Sequence, residues 1–192
     1  MTIPHRLHNL EELAKILKGQ AQIIFAGKAH PKDIHSKWLI QQVWQKCREL
    51  RERYGVKAAY IPNYDMDIGA AMVQGVDVWL NTPRRPLEAS STSGMKVAAN
   101  GGINLSILDG WWAEAYDGTN GFAIAPENVL NDDYVDARSL LDLLKDRVLP
   151  AFRGQDWESL VKQSLKLAAV YNTDRNMQDY FEKAYKKREE KA

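Results

Sequence analysis

The chain has 192 residues, with 45% hydrophobic and 27% charged side chains, and its 26 basic and 25 acidic residues leave a net charge of +1. That length fits one domain, the composition supports a packed core, and the charge balance excludes the basic excess of a nucleic-acid binder and the acidic excess of a solvating tail. One cysteine, Cys47, excludes an internal disulfide framework. In chain order, the N-terminus lacks the basic-then-apolar layout of a signal peptide, and no apolar run approaches a membrane span, so the expectation is a cytoplasmic protein.

Residues 22–25 are a short apolar run closed by Ala26 and Gly27, which predicts a buried strand. Ile34, Trp38, Leu39, Val43, Cys47, Leu50 and Tyr54 then recur at spacings of three and four, one face of a helix with Asp33 as N-cap and Gly55 as its stop. Residues 57–61 predict a second strand, ended by Pro62. A short helix over about 67–74, closed by Gly75, leads to a third strand at 76–80. The prolines of 81–86 exclude helix and central strand there. A helix over about 91–100 stops at Gly101 and Gly102, and 103–108 reads as a fourth strand. Residues 110–121 are turn-rich and lead into the short run 122–125. Three helices close the chain, at about 134–148, 155–170 and 174–189, the last ending in a charged, solvated tail at 186–192.

Strands alternating with helices over short connections predict an α/β fold, a Rossmann-like parallel sheet with helices on both faces, built from residues 1–192 as a single domain. Ligands of such sheets bind at the carboxyl ends of the strands. The loops to weigh are therefore 27–33, 62–67, 81–96 and 109–120.

Ser90-Ser-Thr-Ser-Gly-Met-Lys96 runs from a strand-end loop into a helix N-terminus. Free N–H groups there favour an anion, four consecutive hydroxyl residues suit phosphate, and Gly94 permits close backbone approach. Lys96 lies about one turn inside the helix, within reach of a group held at that terminus. On pattern alone three readings stay open: a phosphate clamp, a Schiff-base lysine for a carbonyl cofactor, or a capping cluster of serines beside a solvated lysine. The Walker and dinucleotide fingerprints are both absent.

Other residues carry weaker signals. His30 and Asp33 read as loop chemistry and helix capping ahead of catalysis. Arg84 and Arg85 suit either a positive field near a phosphate or a surface position between prolines. Trp111 and Trp112 read as core more readily than as sugar-stacking groups. His5, His8 and His35 show no metal-ligand spacing, so no metal site is expected.

Five segments resemble the α-glucan (glycogen and maltodextrin) phosphorylases, especially their shorter bacterial and archaeal members. They are Phe25-Ala-Gly-Lys-Ala-His-Pro-Lys-Asp33, Ile61-Pro-Asn-Tyr-Asp-Met-Asp67, Asn81-Thr-Pro-Arg-Arg-Pro-Leu-Glu-Ala-Ser90, Thr92-Ser-Gly-Met-Lys96 and Leu108-Asp-Gly-Trp-Trp112. Weaker similarity extends the resemblance over roughly 20–187. It implies the C-terminal half of a glycosyltransferase B fold, pyridoxal phosphate as cofactor, and transfer of a terminal α-1,4-glucosyl unit from an α-glucan to orthophosphate, giving glucose 1-phosphate. By motif position, Lys96 is then the Schiff-base lysine. Thr92 and Ser93 hold the cofactor phosphate and Tyr64 packs near it. Glu88 bonds hydroxyls of the glucosyl unit, and Ser90 and Ser91 offer contacts to sugar or substrate phosphate.

Two departures bear on that reading. Ser91 stands where the family generally has glycine, which would permit positive φ and close ligand approach. The family's N-terminal half and a basic segment just before the strand at Gln22 are not present, and His5-Arg-Leu-His-Asn9 does not replace the latter. The expectation is thus a partial chain without turnover of its own, exposing a face its other half would cover and prone to self-association. The competing readings are a degenerate domain serving as a non-catalytic interaction module, and a nucleotide-sugar glycosyltransferase half related to glycogen synthase. Lys96 in its hydroxyl-rich setting disfavours the last.

Overall fold

A computed structural model describes residues 10–126 and 131–186. His5, His8 and the tail at 187–192 lie outside the described residues. The first element among the described residues, α1 (Leu10–Leu17), is a helix that the sequence reading did not contain. It buries Leu10, Leu13, Ala14, Ile16 and Leu17, and Glu11 pairs with Lys15 at 2.8 Å on the solvent side.

Strand β1 (Gln22–Ala26) pairs in parallel with β2 (Lys57–Ile61), Gln22 opposite Lys57 and Ala26 opposite Ile61. Between them runs α2 (Ile34–Glu52), capped as expected: the Ser36 N–H donates to Asp33 Oδ1 at 2.9 Å. Val43, Cys47 and Leu50 of α2 join α1, Phe25, Val56 and Ala58 in one core, and Leu39 is buried as well. The predicted apolar face does not bury its first turns, since Ile34 and Trp38 are exposed.

After α3 (Met66–Gly75) come β3 (Val78–Asn81), α4 (Thr92–Ala99), β4 (Ile103–Ile107), α5 (Trp111–Ala115) and β5 (Gly121–Ile124). These three strands form a parallel sheet in the order β3-β4-β5. All five residues of β4 are buried, as a strand covered on both faces requires. Ile103, Leu105 and Ile107 pack with Leu140 and Val148 of the following helices. Asn104 belongs to the other face, where its Nδ2 donates to the Gly94 carbonyl of α4 at 3.1 Å.

The last helices are more divided than the sequence predicts. Helix α6 (Asp133–Leu143) passes through a π-turn (Leu144–Val148) into α7 (Leu149–Arg153). Pro150 sits at the start of α7, where its missing N–H breaks no bond of the new helix. Helix α8 (Asp156–Val170) is fastened to β4 by the buried Ser164 hydroxyl, which donates to the Gly102 carbonyl at 2.7 Å. Helix α9 (Thr173–Tyr180) continues into a second π-turn (Phe181–Tyr185). No helix among the described residues is long and apolar enough to cross a membrane.

The fold is α/β with parallel strands, as expected, but the pairing falls into two sheets, β1-β2 and β3-β4-β5. A cleft of about 700 Å³ separates their facing edges, lined by Ile23, Ile24 and Phe25 of β1, Trp79 and Leu80 of β3, and Phe152 of α7. The chain winds away from this break in both directions, from β1 to β2 on one side and from β3 through β5 on the other. In open α/β sheets the ligand crevice lies where the winding reverses, beyond the carboxyl ends of the strands. The loop after β3 leaves from that position.

Candidate functional site

The loop from β3 to α4 is built by bonds at both ends. At its start, Asn81 Nδ2 donates to Ser91 Oγ at 2.8 Å, closing the loop on itself. The Leu87 N–H donates to the Arg84 carbonyl at 2.7 Å and makes a turn within it. Further along, the Glu88 N–H donates to Asp109 Oδ2 at 3.0 Å, and the Trp111 N–H donates to the Ser90 carbonyl at 3.0 Å. The turn after β4 thus holds the loop after β3.

Ser91 takes φ 68 and ψ 47, the left-handed region that glycine adopts at no steric cost. It is the N-cap of α4 but offers no side-chain hydrogen bond to the helix. The reading of the serines as a capping cluster therefore fails at the cap itself. The Gly94 N–H reaches the Ser91 carbonyl at 3.1 Å, while the N–H groups of Thr92 and Ser93, the first two helical residues, have no intrahelical acceptor. Lys96 is exposed one turn further in. Helical side chains lean toward the N-terminus, so the Lys96 side chain leaves α4 toward the same end. Glu88, Ser90, Ser91, Thr92, Ser93 and Lys96 thus share one strand-to-helix junction.

Gly94 serves a different end from the one its sequence context suggests. A Cβ there would lie 2.6 Å from Asn104 Oδ1 and 2.9 Å from Trp111 Nε1. The close approach is between α4 and the protein's own interior, with Asn104 fixing the first turn from below. Tyr64 is half-buried in the loop just before α3 and lies against Gly69, where a Cβ would meet its hydroxyl at 2.6 Å. Helix α3 packs beside α4, and Tyr64 lies in the loop that leads into α3.

The weaker candidates resolve clearly. Arg84 pairs with Asp133 at 2.7 Å, and Arg85 reaches the buried Asp136 at 3.4 Å. Both bind the loop to α6. Asp33 caps α2, and His30 Nδ1 accepts from the Lys32 N–H at 3.2 Å. Hydrogen bonds from the Ser36 hydroxyl, and then from its N–H, hold the Asp33 carboxyl below its ordinary value. Trp111 and Trp112 are buried, and the Trp112 indole donates to the Phe122 carbonyl at 3.3 Å. They are core, as their position after a strand suggests. Cys47 is buried too, and desolvation pushes its thiol up to about 11. His35 stacks on Trp38 with ring centroids 5.9 Å apart.

A small group combining a phosphate with a carbonyl carbon fits this junction. The uncapped N–H groups and hydroxyls of Thr92 and Ser93 suit the phosphate, and the exposed Lys96 amine suits the carbonyl. Asn81, Asn104 and Asp109, which shape the junction, were not singled out by sequence reasoning. Asp109 had a signal, an Asp-Gly step at a strand end, but its partner Glu88 is 21 residues away and meets it only in the fold.

A family model described as carbohydrate phosphorylase matches residues 1–120. The chain is 42% identical to the maltodextrin phosphorylase of Thermococcus litoralis over 94% of its own length and 23% of that protein. It is 40% identical to the glycogen phosphorylase of Aquifex aeolicus, over 93% of this chain and 27% of the relative. Against the glycogen phosphorylase of Mycobacterium tuberculosis the identity is 43%, over 92% and 22%. The chain spans about a quarter of the length of these relatives. With a family model covering more than half of its residues, the chain belongs to the carbohydrate phosphorylase family.

Proposed function

We propose that the chain is part of the pyridoxal-phosphate-bearing half of an α-glucan phosphorylase with a glycosyltransferase B architecture. Such an enzyme uses orthophosphate to release the terminal α-1,4-glucosyl unit of a glucan as glucose 1-phosphate. The observation that carries this reading is the junction itself: an uncapped helix N-terminus with two hydroxyl side chains, and a lysine one turn inside it.

In this reading Lys96 holds the cofactor through its ε-amine. Thr92 and Ser93 bind the cofactor phosphate with N–H and hydroxyl donors, where the helix dipole favours negative charge. Tyr64 packs beside it from the loop before α3. Bound there, the cofactor supplies a phosphate monoester whose second pKa, about 6, suits proton transfer near neutral pH. Glu88 accepts hydrogen bonds from glucosyl hydroxyls and fixes the sugar's orientation. Ser90 and Ser91 offer backbone groups to the sugar or to the substrate phosphate.

The greater length of the relatives supports an opposite wall contributed by chain beyond these 192 residues. Transition-state stabilisation needs donors on both sides of a dry cleft, so the 192 residues alone are expected to release no glucose 1-phosphate.

A chimera tests the proposal. These residues replace the matching segment of the Thermococcus litoralis maltodextrin phosphorylase, and glucose 1-phosphate release from maltodextrin is followed. Release that disappears with Lys96→Ala supports the reading. A folded chimera that binds pyridoxal phosphate but is equally active with and without Lys96 would sink it.

A further inference from the structure

The turn after β4 is built around a buried carboxylate that the functional reading leaves unassigned. Asp109 is 9% exposed. Its Oδ2 accepts the Glu88 N–H at 3.0 Å, and its Oδ1 accepts the Gly110 N–H at 2.9 Å. Both oxygens are therefore bonded to backbone, and hydrogen bonds to an ionised acceptor are about twice as strong as neutral ones.

Neighbouring atoms converge on the same three residues. The Trp111 N–H donates to the Ser90 carbonyl at 3.0 Å. Gly110 has φ 54, and a Cβ there would lie 2.7 Å from the Ser90 carbonyl oxygen and 3.2 Å from Glu88 Cγ. The two backbones pass in contact, and the stem of Glu88 lies along Gly110. On the loop's other side there is little packing: Leu87 is 78% exposed, and Pro86 and Ala89 are exposed as well. The carboxylate and the Trp111 amide thus each hold one end of residues 88–90.

We infer that Asp109 is a positioning residue that sets the backbone of Glu88 and Ser90, and through it the direction in which the Glu88 carboxylate meets a sugar. The inference rests on the reading of Glu88 as the sugar-binding acid. Asp109 touches neither the Lys96 amine nor the hydroxyls of Thr92 and Ser93 through any bond among the described residues, so it acts on the sugar side of the junction and not on the cofactor side. A carboxylate is suited to the task because a single group accepts from two N–H donors 22 residues apart in the chain, Glu88 and Gly110. Asparagine in its place offers one carbonyl oxygen and an amide that cannot accept.

Amide hydrogen exchange on the 192-residue chain tests this, with Asp109→Asn and Asp109→Ala beside the parent. The Glu88 amide is expected to exchange about tenfold faster in Asp109→Ala, and by a smaller factor in Asp109→Asn, as loss of a bond to a charged acceptor implies. The amides of Leu105 and Ile107 serve as the core control. Borohydride capture of pyridoxal phosphate at Lys96 is expected to be unchanged in both variants, while affinity for glucose 1-phosphate, read by titration, falls in the order parent, Asn, Ala. Glu88 exchange that matches the parent in Asp109→Asn, with the core amides intact, overturns the inference, as does equal loss of Lys96 capture and sugar-phosphate affinity. If Asp109→Ala fails to fold, the Asn variant decides by the same two readouts. A parent that captures the cofactor but shows no affinity for glucose 1-phosphate counts against the functional reading, and the Glu88 exchange rate still decides the role of Asp109.

Discussion

Asn81, the last residue of β3, donates its side-chain amide to the hydroxyl of Ser91 at 2.8 Å, so the two ends of the ten-residue loop are tied by one bond. The bond accompanies an unfavourable backbone, because Ser91 sits at φ 68. A non-glycine residue in the left-handed region costs roughly 1–2 kcal/mol, and a typical hydrogen bond returns about 0.5–1.5 kcal/mol. The two nearly cancel. Ser91→Gly is therefore expected to leave stability within about 1 kcal/mol of the parent, while Ser91→Ala keeps the strain, loses the bond and is destabilised by about 1 kcal/mol. Urea unfolding of both variants checks this. Equal midpoints for Gly and Ala would contradict the assigned backbone.

Gly94→Ala sets helix propensity against space. Alanine stabilises a helix interior by up to about 1 kcal/mol relative to glycine. Its Cβ would stand 2.6 Å from Asn104 Oδ1 and 2.9 Å from Trp111 Nε1, both in side chains that are themselves buried. Overpacking of a core costs about 1–3 kcal/mol and is expected to win, giving a net loss of about 1–2 kcal/mol. Thermal unfolding of Gly94→Ala measures the sign directly.

Cys47 provides a probe of the first core. Burial raises its thiol to about 11, so the reactive thiolate is scarce at neutral pH. A disulfide reagent at pH 8 is expected to leave the folded chain unlabelled and to titrate one thiol after denaturation. Rapid labelling of the native chain would mean that α1 and α2 do not close over this position.

Asp33 and Asp117 tie acid stability to two local structures. Asp33 is lowered chiefly by the Ser36 hydroxyl, and Asp117 chiefly by the Thr119 N–H. A carboxylate whose folded value lies below its unfolded value, about 3.9 for aspartate, stabilises the fold above that pH. That contribution is lost as pH falls through the folded value. Melting temperature is thus expected to drop below about pH 4, and less steeply for Asp33→Asn and Asp117→Asn, both already weaker at pH 7. Parallel curves for parent and variants would remove these groups from the acid transition.

Much of the candidate site is legible in the sequence because it is contiguous. Glu88 to Lys96 shows its hydroxyls, its glycine and its lysine in one run, and a strand before it and a helix behind it follow from periodicity. The α2 face and the Asp33 cap are likewise local features. What could not be read is non-local. Glu88 and Asp109 meet across 21 residues, and Gly94 and Asn104 across ten. Gly94 looked like room for a ligand because a sequence does not show what lies beneath a helix. Helix α1 had a signal in Leu10, Leu13 and Leu17 but is only eight residues long. Helix α5 was hidden by Gly110 and two tryptophans, which read as a turn. The break between β1 and β3 leaves no mark in either strand, since both are apolar runs of ordinary length.

The most direct test of the account is cofactor capture. The 192-residue chain is incubated with pyridoxal phosphate, reduced with borohydride, and mapped by mass spectrometry beside Lys96→Ala and Thr92→Ala. The expected result is a single modified peptide carrying the adduct on Lys96, absent in Lys96→Ala and reduced in Thr92→Ala. Labelling spread over Lys57, Lys145 and other surface lysines, with Lys96 no more reactive than they are, would contradict the assignment of this junction as the cofactor site.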